Sequence, residues 1–313
     1  MNKEEMQNKM SGIIGSGNKC GIEIFVGLKA DIGYKLKKLR ATDKMINSIK
    51  RKILDVLRVT YLDKDIEYEI SDNIADDKKA LYEIVQDEEY FPFRFLQDFR
   101  SVIELYSSAD KEKLCGFFFR VNLNEESFWV YQHVYAVSVI DRSKNILAWF
   151  NKNTYDEIEA DVLQINARVD LVIMDDAIIT SKIDLLQKYF GFEKFIRAGA
   201  QRTIAIIEEL DIVTGLDKFI ALESKSRLTN AKKLLKAKNS PVLKMKKQDL
   251  ISSLKKHPRY STMFIIEADR VKINSQKDAA AFIKMVNDDI VKSELTGQEY
   301  DSSSKLLLEP VSM

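Results

Sequence analysis

The sequence predicts an α+β (mixed α/β) protein: a central mixed β-sheet flanked by helices, with an N-terminal α/β lobe and a helical, basic C-terminal part. Three observations predict it. Between Leu114 and Phe195, short runs of β-branched and aromatic residues alternate with polar turns, as in Cys115–Val121, Ser127–His133, Ile146–Phe150, Val169–Met174 and Ala177–Thr180. Closely spaced runs of this kind are strands of one sheet. Stretches with apolar residues at i, i+3, i+4 and i+7 lie before and after it, the spacing of helices with one buried face. Only 4 prolines and 11 glycines interrupt the 313 residues.

Residues 1 to 18 are polar and Gly/Ser-rich and read as a flexible arm or a frayed first helix. Gly21–Leu28 alternates as a strand. Thr42 is placed to cap a helix whose apolar positions are Met45, Ile46, Ile49, Ile53, Leu54 and Leu57. Ile66–Ile70 is a short strand, and an acidic helix is expected through Ala80, Leu81 and Ile84. Pro92 is expected to open another helix with Phe95, Leu96, Phe99, Val102, Ile103 and Tyr106 inward. These elements define an N-terminal lobe of residues 1–110, with Asp110–Lys113 as the junction to a domain of residues 111–313. After the sheet come helices from Lys182 to Tyr189 and from Phe192 to about Leu210, and then a turn over Asp211–Gly215. A further helix starts at Asp217. Asn239-Ser240-Pro241 divides the next stretch into two helices. Phe264–Ile266 and Val271–Ile273 are short strands, Ala279–Asp289 is a helix, and Ser304–Leu308 is a closing strand. No internal repeat is present.

Composition bounds the function. A chain with 45% hydrophobic and 31% charged residues is an ordinary globular one. No apolar run approaches the ~20 residues of a bilayer span, and the charged start lacks a signal core, so a cytoplasmic protein is expected. Cys20 and Cys115 have no paired spacing and read as reduced thiols, a disulfide between them being the less favoured alternative.

The net charge of +1 conceals segregation. Lys29–Arg58 holds ten basic residues against three acids, and Asp63–Glu89 holds eleven acids against three lysines. Lys225–Arg259 holds twelve basic residues and one acid, Asp249. Within that last run Leu228, Leu234, Leu235, Val242, Leu243, Leu250, Ile251 and Leu254 keep an apolar face, so its cations belong to folded helices. Phosphate backbones attract such a surface without sequence-specific contacts. The candidate DNA-binding residues are Lys232, Lys233, Lys236, Lys244, Lys246, Lys247, Lys255, Lys256 and Arg259. The plain alternative is a solvated helical face, or the surface of a non-catalytic adaptor for an acidic protein, a partner subunit or the anionic inner leaflet of a membrane.

Catalytic readings carry less. Asp156, Glu157, Glu159, Asp161, Asp175 and Asp176 could supply metal-binding carboxylates. Glu223-x-Lys225 has the spacing of a restriction-type nuclease strand, where the acid holds magnesium and the lysine stabilises the attacking water. Both types abound here, so exposed helix charges are the favoured explanation of the spacing. His133 and His257 cannot build a zinc site alone, and His133 reads as a hydrogen-bonded strand residue. Gly12, Gly15 and Gly17 form no dinucleotide fingerprint. No catalytic residue, metal site or cofactor is assigned, and the chain is read as a non-enzyme.

One resemblance adds to this. Tyr131-Gln132, Asn151–Glu157, Val169–Asp176, Phe192–Phe195 and Ser293-x-Leu295-Thr296-Gly297-x-x-Tyr300 with Ser304-Lys305 occur in an order that resembles KwaB-like proteins. These are the cytosolic subunit of the Kiwa anti-phage defence system. The resemblance covers about residues 115 to 308. It implies a DNA-binding effector that works beside the membrane protein KwaA, is recruited by it to the inner face of the membrane, and blocks phage DNA replication and late expression. The family supplies no catalytic motif to carry over. The resulting expectation is a two-lobed DNA-binding protein that acts as a homodimer.

Overall fold

The computed structural model describes residues 2–30, 33–63, 65–70, 80–86, 90–135, 139–140, 148–151, 154–158, 162–224, 228–292, 295 and 299–301. The chain forms two compact units, Met1–Glu69 with Lys79–Asp184, and Ile70–Lys78 with Leu185–Met313. It is of the α+β class.

The first unit runs α1 (Lys3–Gly15), β1 (Gly21–Lys29), β2 (Tyr34–Lys38), α2 (Asp43–Thr60), β3 (Glu67–Ile70) and β4 (Ala80–Val85). Short 3₁₀ turns follow at Arg94–Leu96, Phe99–Ser101 and Ser108–Lys113. Then come β5 (Leu114–Leu123), β6 (Glu126–His133), β7 (Val139–Ile140), β8 (Ala148–Asn151), β9 (Thr154–Glu157), β10 (Val162–Leu163), β11 (Leu171–Met174) and β12 (Ala177–Thr180). Eight strands make one sheet in the order β2-β1-β5-β6-β11-β12-β4-β3, while β7 pairs with β10 and β8 with β9. From β2 to β4 every pairing is antiparallel.

Two covered faces explain why β5 and β6 read as near-continuous apolar runs. Successive side chains of a strand point to opposite faces, so Phe117 and Phe119 join the core with α1 and α2. There they meet Met6, Met10, Ile13, Ile53 and Leu57. Phe118 points the other way, 5.5 Å from Phe95 and 4.8 Å from Tyr131, in an aromatic layer that includes Phe93. Phe25, Phe99 and Trp129 extend that layer, and Arg120 stacks on Phe99 at 4.4 Å. Gly27 and Gly116 face each other across β1 and β5. A Cβ on either would lie 2.6 Å or less from the rings of Phe118 and Tyr131, so only glycine leaves room for those rings.

Several expectations are corrected. Of the two readings of the N-terminus the helix is realised and the flexible arm is not: residues 3–15 are helical, seated by Met6, Met10, Ile13 and Ile14, and Asn2 and Glu5 cap the start reciprocally. Ala80–Val85 is a strand rather than a helix, because β12 offers an edge that pairs Ile84 with Ile178 and Tyr82 with Thr180. Pro92 opens no helix: the segment forms isolated turns that lay Phe93, Phe95 and Phe99 on the sheet and leave Ile103 86% exposed. The helix capped by Thr42 is α2, with Ile49, Ile53, Leu54 and Leu57 buried.

α3 (Ile183–Tyr189) spans the boundary between the units. The second unit continues with α4 (Phe192–Glu209), β13 (Val213–Thr214), α5 (Asp217–Glu223), α6 (Thr229–Ala237), a 3₁₀ turn at Pro241–Lys244, α7 (Lys247–Lys256) and α8 (Pro258–Met263). It ends with β14 (Ile265–Glu267), β15 (Arg270–Lys272), α9 (Gln276–Val286), β16 (Ile290–Lys292) and β17 (Glu299–Asp301). The Asp211–Gly215 turn contains β13, which runs parallel to β15. Phe219 of α5 meets Phe282 of α9 edge-on at 5.8 Å, in a core shared with Ile196, Leu222, Leu234 and Leu235. The expected strand Ser304–Leu308 lies outside the described residues, as do Ser293, Gly297, Glu159, Asp161 and Lys225.

Candidate nucleic-acid interface

The basic helices are built as their apolar spacing requires. On α6 Ala231, Leu234, Leu235 and Ala237 are buried, and Lys232, Lys233 and Lys236 lie half-buried on its flanks. Leu235 seats where Gly199 of α4 has no side chain; a Cβ there would come 2.3 Å from it. Asn287 donates to the Lys233 carbonyl at 2.9 Å, tying the last turn of α6 to the end of α9. Ser240 then stops the helix: its hydroxyl accepts from the Val242 amide at 3.1 Å and donates to the Val286 carbonyl at 2.5 Å. Pro241 opens the 3₁₀ turn that ends at Lys244, and Lys246 is the residue before α7. Lys255 and Lys256 in the last turn of α7 complement its dipole. Arg259 is half-buried in α8.

Tertiary contacts divide these cations. Lys247 reaches Asp211 at 2.8 Å, Lys255 reaches Asp269 at 3.0 Å, and Lys236 lies 3.8 Å from the buried Asp289. Hydrogen bonds from Lys247 and Arg270 hold the Asp211 carboxyl below the usual carboxylate range, and Lys255 does the same to Asp269. The linear count set Asp249 alone against twelve cations, but three further acids come from outside the run. Lys232 and Arg259 also have partners. Lys244, Lys246 and Lys256 are exposed and, among the described residues, make no ion pair; neighbouring Lys238 is in the same state.

Of the nuclease constellation, Glu223 and Asp175 lie among the described residues. Glu223 ends a helix rather than a strand, and it is buried. Arg197 donates to its carbonyl at 2.7 Å and to its carboxylate at 3.2 Å, while also holding Glu193 at 2.9 Å. Asp175 and Asp176 form the two-residue turn between β11 and β12, where Asp175 takes a left-handed φ of 48° and pairs with Lys9. Among the described residues, no three His, Cys, Asp or Glu side chains are placed to hold a metal ion.

The sequence reading missed a buried ionic cluster in the first unit. The fully buried carboxylate of Asp170 accepts from the His133 amide at 2.8 Å, from Arg168 Nε at 3.1 Å and from Lys182 Nζ. Arg168 also donates to the His133 carbonyl at 2.7 Å and stacks on Tyr135. Thr180 donates to the Asp170 carbonyl at 2.8 Å. His133 is buried, with Nδ1 3.0 Å from the Tyr131 hydroxyl, and Gln132 Nε2 donates to the Asn166 and Arg168 carbonyls at 2.7 and 2.8 Å. This network locks the end of β6 to the start of β11 and the residue before α3. A buried aspartate beside a strand is its one sequence signal, since such a group demands cations.

The model for Kiwa protein KwaB-like sequences matches residues 111–296, more than half of the chain. The chain belongs to the KwaB-like family. The matched span carries the Asp170 cluster and the basic helices α6, α7 and α8; α1, β1, β2 and α2 precede it. Over nearly full length the chain is also similar to the Kiwa protein KwaB of Escherichia coli O55:H7, with 22% identity over 97% of this chain and 98% of that one. No solved structure matches. As a KwaB-like protein, the chain is a component of the Kiwa anti-phage defence system. Among the described residues no helix is long and apolar enough to cross a membrane.

Proposed function

We propose that this KwaB-like protein is the DNA-binding effector of its Kiwa system, a non-enzyme that works as a homodimer beside the membrane protein KwaA to block phage DNA replication and expression. The observation that supports DNA binding is the set of exposed lysines Lys244, Lys246 and Lys256, held on the 3₁₀ turn, at the start of α7 and in its last turn, with no ion-pair partner among the described residues. Lysines on a rigid frame offer point charges to phosphates without side-chain carboxylates to displace. Lys232, Lys233, Lys236, Lys247, Lys255 and Arg259 flank them. Their partial burial or existing partners give each a smaller share of the contact.

Fluorescence anisotropy with a labelled duplex tests the reading. K244E/K246E/K256E is expected to weaken binding by at least tenfold and to lower the salt slope by about 2.7, at about 0.9 per phosphate contact. K232E/K233E/K236E is expected to weaken it less. Unchanged affinity in both variants would remove this surface from the proposal. Incubation with DNA and magnesium is expected to leave DNA intact; cleavage lost in Glu223→Ala would instead establish the nuclease reading. The membrane partnership predicts a neighbouring gene for a membrane protein with several spans, and co-purification with its product from membranes.

A further inference from the structure

We propose that the groove between α2 and the C-terminal end of α1 is a second site for the phosphate backbone of double-stranded nucleic acid. The inference rests on the reading of the chain as DNA-binding and adds to it a surface in the first unit, outside the residues matched by the family.

The groove has a volume of about 740 Å³ and is lined by Lys44, Lys50, Arg51 and Arg58, with Asn47 and Ser48 between them. Leu54 and Gly17 complete the wall, and no carboxylate is among the described residues that line it. The cations are of two kinds. Lys50 and Arg58 are anchored to the opposite wall, Lys50 donating to the Cys20 carbonyl at 3.1 Å and Arg58 to the Ile14 carbonyl at 3.3 Å; Asp55 also holds Arg58 at 3.0 Å. Lys44 and Arg51 are exposed and make no ion pair among the described residues. Buried Ile49, Ile53 and Leu57 fix the other face of α2 in the core, so the row of cations is carried on a rigid rod.

The spacing selects the ligand. Lys44, Arg51 and Arg58 recur every seven residues, about 10 Å per step and about 21 Å end to end at 1.5 Å per residue. A lone phosphate is held by converging donors, whereas a row of this length suits a chain of phosphates. Single-strand binders add aromatic platforms on which bases stack, and no aromatic residue is among the described residues that line the groove. Cations with Asn and Ser donors match the contacts that position a duplex backbone without reading its sequence.

The test compares K44E/R51E and the neutral K44Q/R51Q with K244E/K246E/K256E in the duplex anisotropy assay across a salt series. Both Lys44 and Arg51 are exposed, so melting temperatures are expected to stay at the wild-type value; if K44E/R51E fails to fold, K44Q/R51Q decides. Expected are at least tenfold weaker duplex binding for K44E/R51E and a salt slope lower by about 1.8 in both groove variants. Wild-type slope and affinity in the groove variants, with binding lost in K244E/K246E/K256E, would overturn this site and leave the proposed function standing. No duplex binding by the wild-type protein would overturn both. A loss seen with single-stranded DNA but not with duplex would also overturn the site as stated.

Discussion

At the scale of single residues, Asp170 has the largest predicted effect. Its carboxylate is fully buried and compensated by Arg168 and Lys182, whose side chains remain 28% and 36% exposed. Removing one partner of a buried ion pair costs about 3–5 kcal/mol, and the exposure of the cations reduces that. Asp170→Ala is therefore expected to lower unfolding free energy by about 3 kcal/mol, read by denaturant titration. A loss below about 1 kcal/mol would mean that the cluster is not a structural clip. A second prediction concerns Ala268. With Asp269 it forms the two-residue turn between β14 and β15, at φ 47° and 54°. Two positive φ values are the type I′ requirement, which glycine and asparagine meet and alanine resists at about 1 kcal/mol. Ala268→Gly is expected to raise the melting temperature, and a fall would show that the alanine side chain contributes packing worth more than the strain.

At the scale of elements, the apolar pattern was readable wherever it ran for several turns or alternated cleanly. α2, α4, α6, α7, β1, β5 and β6 all fall where the sequence places them. It was not readable in short runs. Ala80–Val85 is six residues long, and periodicity cannot separate a buried strand from a helix at that length. The vacant edge of β12 decided it. For the first helix the sequence left a flexible arm and a frayed helix both open, because Gly12, Gly15 and a polar face dilute the four inward residues of α1, which are buried in the main core. Met10→Ala is accordingly expected to cost about 2–4 kcal/mol, the usual range for emptying a buried methionine site. A chain with a loose N-terminal arm would lose nothing measurable in the same chemical denaturation experiment.

At the scale of the whole molecule, a net charge of +1 rules out a long-range positive field, so association with DNA must rest on local patches. Such patches act within a Debye length of about 10 Å at 0.1 M salt. With the five phosphates that Lys244, Lys246, Lys256, Lys44 and Arg51 engage, raising salt from 50 to 200 mM is expected to weaken duplex binding by about five-hundredfold. A dissociation constant that holds steady over that range would point to contacts other than phosphates. The α+β class, most helices, the family and the two basic stretches are legible in the chain alone, because periodicity, composition and ordered motifs are local properties. Only the tertiary structure decided which charges remain available. Asp211, Asp269 and Asp289 neutralise cations from which they are remote in sequence. Arg197 engages Glu223, and Asp170 gathers its cations in the core. Charge pairing falls off over a few ångströms of space rather than along the chain, and folding alone sets those distances.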